Sequence, residues 1–196
     1  MMSDNFVMLA DVDATPEEAG ELSERVVNEF RKRGIITGNA TADCVYGGVG
    51  FRPGPQISNI YKLAEHEGEF WTLITSGVEV RTERGFNMWA LAAVFEGFNC
   101  PKCRSKVDPL EDKFGLGDAL NNWLDNTATE SDLICPQCSK KTPLTKWECR
   151  PPLAFSNLAF TFWNWPPFDL DAWQIDIATL VEDLTKHTIV RSYGHI

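Results

Sequence analysis

NFVMLADVDATPEEAGELSERVVNEF, residues 5–30, decides how the rest of the chain is read. Asn5 to Ala10 is a short apolar run, closed by Asp11 and Asp13. Thr15-Pro16-Glu17-Glu18 then carries the signals of a helix start, with Thr15 as cap, Pro16 in the first turn and Glu18 placed to close a capping box. Ala19, Leu22, Val26, Val27 and Phe30 fall on one face at helical spacing, and Gly34 follows Arg31-Lys32-Arg33 where the helix should end. Glu17, Glu18, Glu21 and Glu24 read as a solvated face near the positive end of that helix.

A comparable arrangement closes the chain. Leu158 to Trp163 has apolar residues on both faces, as a strand covered on two sides would, and Pro166-Pro167 stops it. Ile177, Leu180, Val181 and Leu184 follow at helical spacing, and Thr188 to Tyr193 reads as a last strand. Between these ends, Ala42–Tyr46, Phe70–Thr75 and Val78–Thr82 read as strands, and Gly47–Pro55 as a loop punctuated by Gly and Pro. Met88 to Phe98 is apolar without clear period, so helix and strand both stay open, with strand preferred because the segment must deliver the chain to Cys100. Two strand-helix-strand halves around one sheet predict an α+β fold, a ferredoxin-like or related sandwich of antiparallel sheet and two helices. Residues 1–98 and 140–196 are expected to form it, with a zinc-ribbon-like module inserted at 99–139.

That insertion carries the strongest chemical signal. Cys100-Pro101-Lys102-Cys103 and Cys135-Pro136-Gln137-Cys138 repeat one CPxC spacing. Each CxxC makes a tight knuckle with both sulfurs on one side, and two facing knuckles supply four thiolates in a tetrahedron. The gap between them is longer than the usual ~15–20 residues. Leu116, Leu120, Trp123 and Leu124 place a short helix in it. A redox dithiol competes with this reading, because a low-pKa Cys opening a helix also occurs in CPxC, but such a dithiol acts alone rather than in duplicate. Iron takes the same four ligands; zinc is preferred as the common ion of structural sites. One structural zinc on Cys100, Cys103, Cys135 and Cys138 is therefore expected, closed to water and not catalytic. Cys44 and Cys149 lack a partner motif and read as small buried hydrophobes.

Composition bounds the rest. At 196 residues, 43% hydrophobic and 11% aromatic, the chain is long and apolar enough for a packed core. Met1 to Ala10 lacks the basic start and long apolar stretch of a signal peptide, and no uncharged run reaches the ~18 apolar residues of a membrane span. The cytoplasm is the expected compartment, where cysteines serve metal or redox chemistry rather than disulfides. The net charge of −10 argues against general affinity for nucleic acid or anionic membrane.

Weaker candidates each have a plainer reading beside them. Arg52 in the Gly47–Pro55 loop would give an anion cradle a fixed charge, but the order GxxxxGK[ST] is missing and a simple connection explains the glycines. Glu65-His66-Glu67 with Glu69 reads as solvated surface, and His187 and His195 as satisfied or surface histidines, since neither HExxH nor GxSxG occurs. Trp163, Trp165, Phe168 and Trp173 sit among prolines, and such density usually means core, although a partly exposed cluster would anchor a partner.

The paired knuckles, the acidic chain and the closing helix followed by HTIVRSYGHI resemble a family of small acidic bacterial cytoplasmic proteins with paired CPxC zinc knuckles. The resemblance covers roughly residues 95–196. It implies zinc and the fold, and no mechanism. The leading expectation is a non-enzymatic zinc-containing interaction protein whose acidic body meets a basic protein partner, in the manner of acidic inhibitors and immunity proteins. Nucleic-acid binding through Lys102, Arg104, Lys106, Lys140, Lys141 and Lys146 beside the knuckles is the first alternative, and an enzyme built on the Gly47–Pro55 loop the second.

Overall fold

The computed structural model describes residues 4–46, 48–93, 97–109, 114–125 and 131–196. The strands, in chain order, are β1 (Asn5–Asp11), β2 (Ile36–Thr41), β3 (Gly50–Pro53), β4 (Gly77–Arg81), β5 (Phe98–Asn99), β6 (Lys106–Val107), β7 (Asp132–Ile134), β8 (Lys141–Pro143), β9 (Leu158–Trp163) and β10 (Ile189–His195). The helices are α1 (Pro16–Lys32), α2 (Ile57–Ile60), α3 (Met88–Ala93), α4 (Leu116–Asp125) and α5 (Ile177–Thr185). Contacts divide the chain into two units, Met1–Glu83 with Ser156–Ile196, and Arg84–Phe155. No described helix is long and apolar enough to cross a membrane.

The first unit is α+β. Its sheet runs β10-β1-β9-β4-β3-β2, with every pairing antiparallel. Register pairs Val7 with Phe162 and Leu9 with Phe160, so β1 and β9 present one continuous apolar face. Against that face lie Ala19, Leu22, Val26, Val27 and Phe30 of α1 and Ile177, Ala178 and Val181 of α5. Phe30 meets the rings of Phe160 and Phe162 at centroid distances of 6.3 and 6.1 Å. Helix α1 begins as its sequence prescribes. The Thr15 hydroxyl accepts from the Glu18 N–H at 3.3 Å, and the Glu18 carboxylate accepts from the Thr15 N–H at 3.1 Å.

Several expectations need correction. The second strand lies at Ile36–Thr41 rather than Ala42–Tyr46, because ITGNAT is an exposed edge whose residues need no apolar alternation. The supposed loop Gly47–Pro55 contains β3, while Gly47 itself lies outside the described residues. The glycines answer packing there: a Cβ on Gly50 would collide with Val45, and one on Gly54 with the Gly34 carbonyl. Phe70–Thr72 forms a 3-10 turn instead of a strand. Phe70 faces Tyr61, Trp71 and Trp165 in an aromatic cluster, so its apolar character serves packing rather than a ladder. Met88–Ala93 is a helix, not a strand, and two residues of β5 suffice to reach Cys100; residues 94–96 lie outside the described set.

The second unit is wider than the expected 99–139 insert. Ala90 and Phe98 before the first knuckle, and Trp147, Leu153 and Phe155 after the second, share one apolar cluster with Phe114, Leu120 and Trp123. Among its described residues regular structure is sparse: two hairpins, β5 with β6 and β7 with β8, and helices α3 and α4.

Candidate metal centre

Each cysteine pair sits at the tip of one of those hairpins, and the repeated sequence folds into a repeated knuckle. Cys100 N–H donates to the Ser105 carbonyl at 2.9 Å, and Arg104 N–H returns a bond to the Cys100 carbonyl at 2.9 Å. In the second copy Cys135 N–H donates to the Lys140 carbonyl at 3.0 Å, and Ser139 N–H to the Cys135 carbonyl at 2.8 Å. The residue after each second cysteine is left-handed, Arg104 at φ 61° and Ser139 at φ 56°. This tight reversal lets both sulfurs of a pair face the same side.

The four Sγ atoms lie within 4.8 Å of one another. Across the knuckles, Cys100 is 3.9 Å from Cys138, and Cys103 is 3.7 Å from Cys135. A tetrahedron with metal–sulfur bonds of about 2.3 Å has sulfur–sulfur edges of about 3.8 Å. The donor set and its dimensions therefore fit a four-coordinate ion with no room for water as a fifth partner. Cys100 and Cys135 are buried and Cys103 is exposed. The Ser105 hydroxyl and N–H beside Cys103 hold that thiol down at about 6. Cys138 is pushed up to about 11: the Lys140 N–H favours its thiolate, but burial and the neighbouring thiols outweigh it. Cys103 and Cys138 thus hold their protons unequally, and a dication that displaces those protons relieves the crowding of the thiols.

The other candidates separate from this centre. Arg52 is occupied, donating to the Asp43 carboxylate at 2.9 Å and to the Ile74 carbonyl at 3.4 Å, and it holds the Asp43 carboxyl below its ordinary value. It clamps two loops rather than presenting a free charge to an anion. Trp163 and Trp165 are buried, so they do not form the exposed part of a recognition patch. Trp163 donates to Glu79 at 2.9 Å, and Trp165 stacks at 6.0 Å on the half-buried Trp173, which donates to the Pro167 carbonyl at 2.9 Å. Cys44 is fully buried, and burial raises the thiol of Cys149.

Two polar arrangements have no sequence signal. Asp11 is completely buried and its carboxylate contacts His187 Nδ1 at 3.0 Å while accepting from the Ala14 N–H at 2.9 Å. The two residues are 176 positions apart, so only the closed sheet joins them. Glu67, read as solvated surface, receives the hydroxyl of buried Tyr61 at 3.0 and 3.1 Å. Burial and that carboxylate push the Tyr61 phenol up to about 12.

The charge also divides unevenly. The second unit holds nine basic and nine acidic residues, so the whole deficit of −10 falls on the first. Within the second unit Arg104 pairs with Glu148 at 3.1 Å and Lys141 with Asp132 at 3.1 Å. Lys102, Lys106, Lys140 and Lys146 make no ion pair among the described residues. No family model, no curated protein and no solved structure matches this chain.

Proposed function

We propose that this protein is a non-enzymatic, zinc-containing interaction protein, with one structural zinc on Cys100, Cys103, Cys135 and Cys138 and an acidic first unit that meets a basic protein partner. The observation that carries the reading is the compact four-sulfur cluster on two hairpin tips that share one CPxC spacing, with cross-knuckle edges of 3.9 and 3.7 Å that match a closed tetrahedral site. Such a site stabilises a fold and leaves no position for substrate. Zinc is preferred to iron as the usual ion of structural four-cysteine sites, and the paired hairpins have the form of a zinc ribbon. The strands β10-β1-β9-β4, with α1 and α5 on one face, read as a ferredoxin-like core widened by β3 and β2. Membership of the small acidic bacterial family with paired CPxC knuckles, and a cytoplasmic location, belong to the same reading.

The charge supports the partner. All ten excess negative charges lie on the first unit, which would speed and orient encounter with a basic surface. Capture from a lysate of the source organism on the immobilised, zinc-loaded chain tests this. A basic protein retained at low salt and released by about 0.5 M salt is the expected result, because screening shortens the reach of surface charge to a few ångströms. Recovery of acidic proteins only, or of none, contradicts it. Nucleic-acid binding is the second reading, favoured by the four lysines without ion pairs beside the knuckles. A salt-dependent gel shift at low ionic strength would support it in place of the first.

A further inference from the structure

A cleft of about 370 Å³ opens in the first unit where the start of β1 and the end of β10 meet the chain leaving β9. That volume falls in the range of small-molecule sites, about 300–1,000 Å³. Its lining is largely apolar, with Pro166, Leu170 and Tyr193 accessible and Phe6 and Trp165 buried. Gly194 lines it as well, opposite the ring of Phe6, and a Cβ there would strike that ring. The missing side chain leaves room for the Phe6 ring.

Asn5, Asn164 and Tyr193 on the lining are neutral, and its charged side chain, Glu67, is negative. No Lys, Arg or His is among its described lining residues, whereas Glu67 is. The Glu67 carboxylate has no cationic partner among the described residues and is fixed by two donors, the buried Tyr61 hydroxyl at 3.0 Å and the Ala64 N–H at 2.9 Å. Tyr193, also on the lining, reaches the Asp169 carboxylate at 3.5 Å, which places a second negative charge close by. A pinned carboxylate beside an accessible aromatic ring, here Tyr193, suits an organic cation, through a charge-assisted hydrogen bond and the negative face of the ring.

We propose that this cleft binds an organic cation, an ammonium or guanidinium group carried on a short apolar stem. Glu67 takes the charged head, and the accessible Pro166, Leu170 and Tyr193 take the stem. The shared chemistry has two sources, a free amine or the Arg or Lys side chain of a protein. The cleft does not depend on the protein-partner reading, since a small amine fills it without any protein.

Titration of the full, zinc-loaded chain with n-butylguanidinium, 1-pentanol and pentanoate, followed by amide NMR, tests the proposal. Saturable shifts at Trp165, Tyr193 and Gly194 are expected with butylguanidinium, at an affinity at least about tenfold above pentanol, as a charged hydrogen bond implies, and none with pentanoate. Glu67→Gln should weaken butylguanidinium about tenfold, while Glu65→Gln, outside the lining, leaves it unchanged. Leu170→Arg, at an exposed wall position, should abolish binding by supplying its own cation. Equal binding of pentanol, full affinity in Glu67→Gln, or no saturation by any probe overturns the proposal. A blocked pentapeptide with one central Arg separates the sources. Tighter binding than butylguanidinium assigns the site to a protein side chain, and equal binding assigns it to a free amine; both support the cleft. Retention of a basic protein by Glu67→Gln would leave the partner reading intact while the cleft assignment stands or falls alone.

Discussion

In the first unit a seventeen-residue helix and a six-stranded sheet close on Phe30, Phe160 and Phe162, whereas in the second the longest described strand has three residues and the longest described helix ten. The first unit gains its stability from apolar area and a six-stranded ladder of backbone hydrogen bonds, broken by a bulge at its β2 edge. The second has an apolar cluster around Phe98, Phe114, Trp123 and Trp147, but its chain reverses at knuckles that gain little from regular structure. A unit of about 70 residues with so little secondary structure is the kind that adds a metal to its core. The difference teaches that one chain can use two independent sources of order, and each should fail separately.

The largest expected effect breaks the second unit alone. Metal removal by EDTA, or Cys135→Ser, withdraws the binding free energy of the ion, on the order of 10 kcal/mol for structural zinc. Hydrogen exchange should then accelerate across residues 84–155 while the amides of β1 and β9 stay protected. Loss of protection in both units together would show that they are not energetically separate. The converse perturbation is Phe160→Ala, which empties the centre of the first core and should cost about 3–5 kcal/mol in denaturant unfolding while leaving one metal per chain. Loss of metal in that variant would contradict the division.

These contrasts also explain what the sequence discloses. Helix α1 is legible because cap, proline, acidic first turn and apolar stripe all agree, and β9 because both of its faces are apolar. The knuckles are legible because metal ligation demands particular residues at fixed spacing. The edge strand β2 is not, since an exposed strand paired on one side carries no apolar pattern and is bulged between Ile36 and Ala40. Met88–Ala93 reads wrongly as a strand because six residues are too few to display a helical period. The Asp11–His187 contact and the Tyr61–Glu67 pair depend on tertiary closure, so no local pattern announces them.

Smaller effects sharpen the comparison within the first unit. Thr15→Ala removes the capping-box oxygen and should cost about 1 kcal/mol, read as a lowered denaturation midpoint with unchanged slope. The smallest concerns acid. Asp176 caps α5 and contacts Arg191 at 3.3 Å, and although burial opposes it, the Thr179 N–H and hydroxyl and that arginine leave its carboxyl below the ordinary value. Its contribution is therefore present above the unfolded carboxyl value of about 3.9 and is lost as pH falls through the lower folded value. Asp176→Asn should flatten the decline in stability below about pH 4, and an unchanged acid profile would remove Asp176 from the account.

The four-sulfur centre is tested most directly by metal analysis together with X-ray absorption on the purified chain. One zinc per chain is expected, surrounded by four sulfurs at about 2.3 Å with no oxygen or nitrogen bound to the ion. A metal-free protein that keeps the second unit protected from exchange, or a metal with fewer than four sulfur ligands, would contradict it.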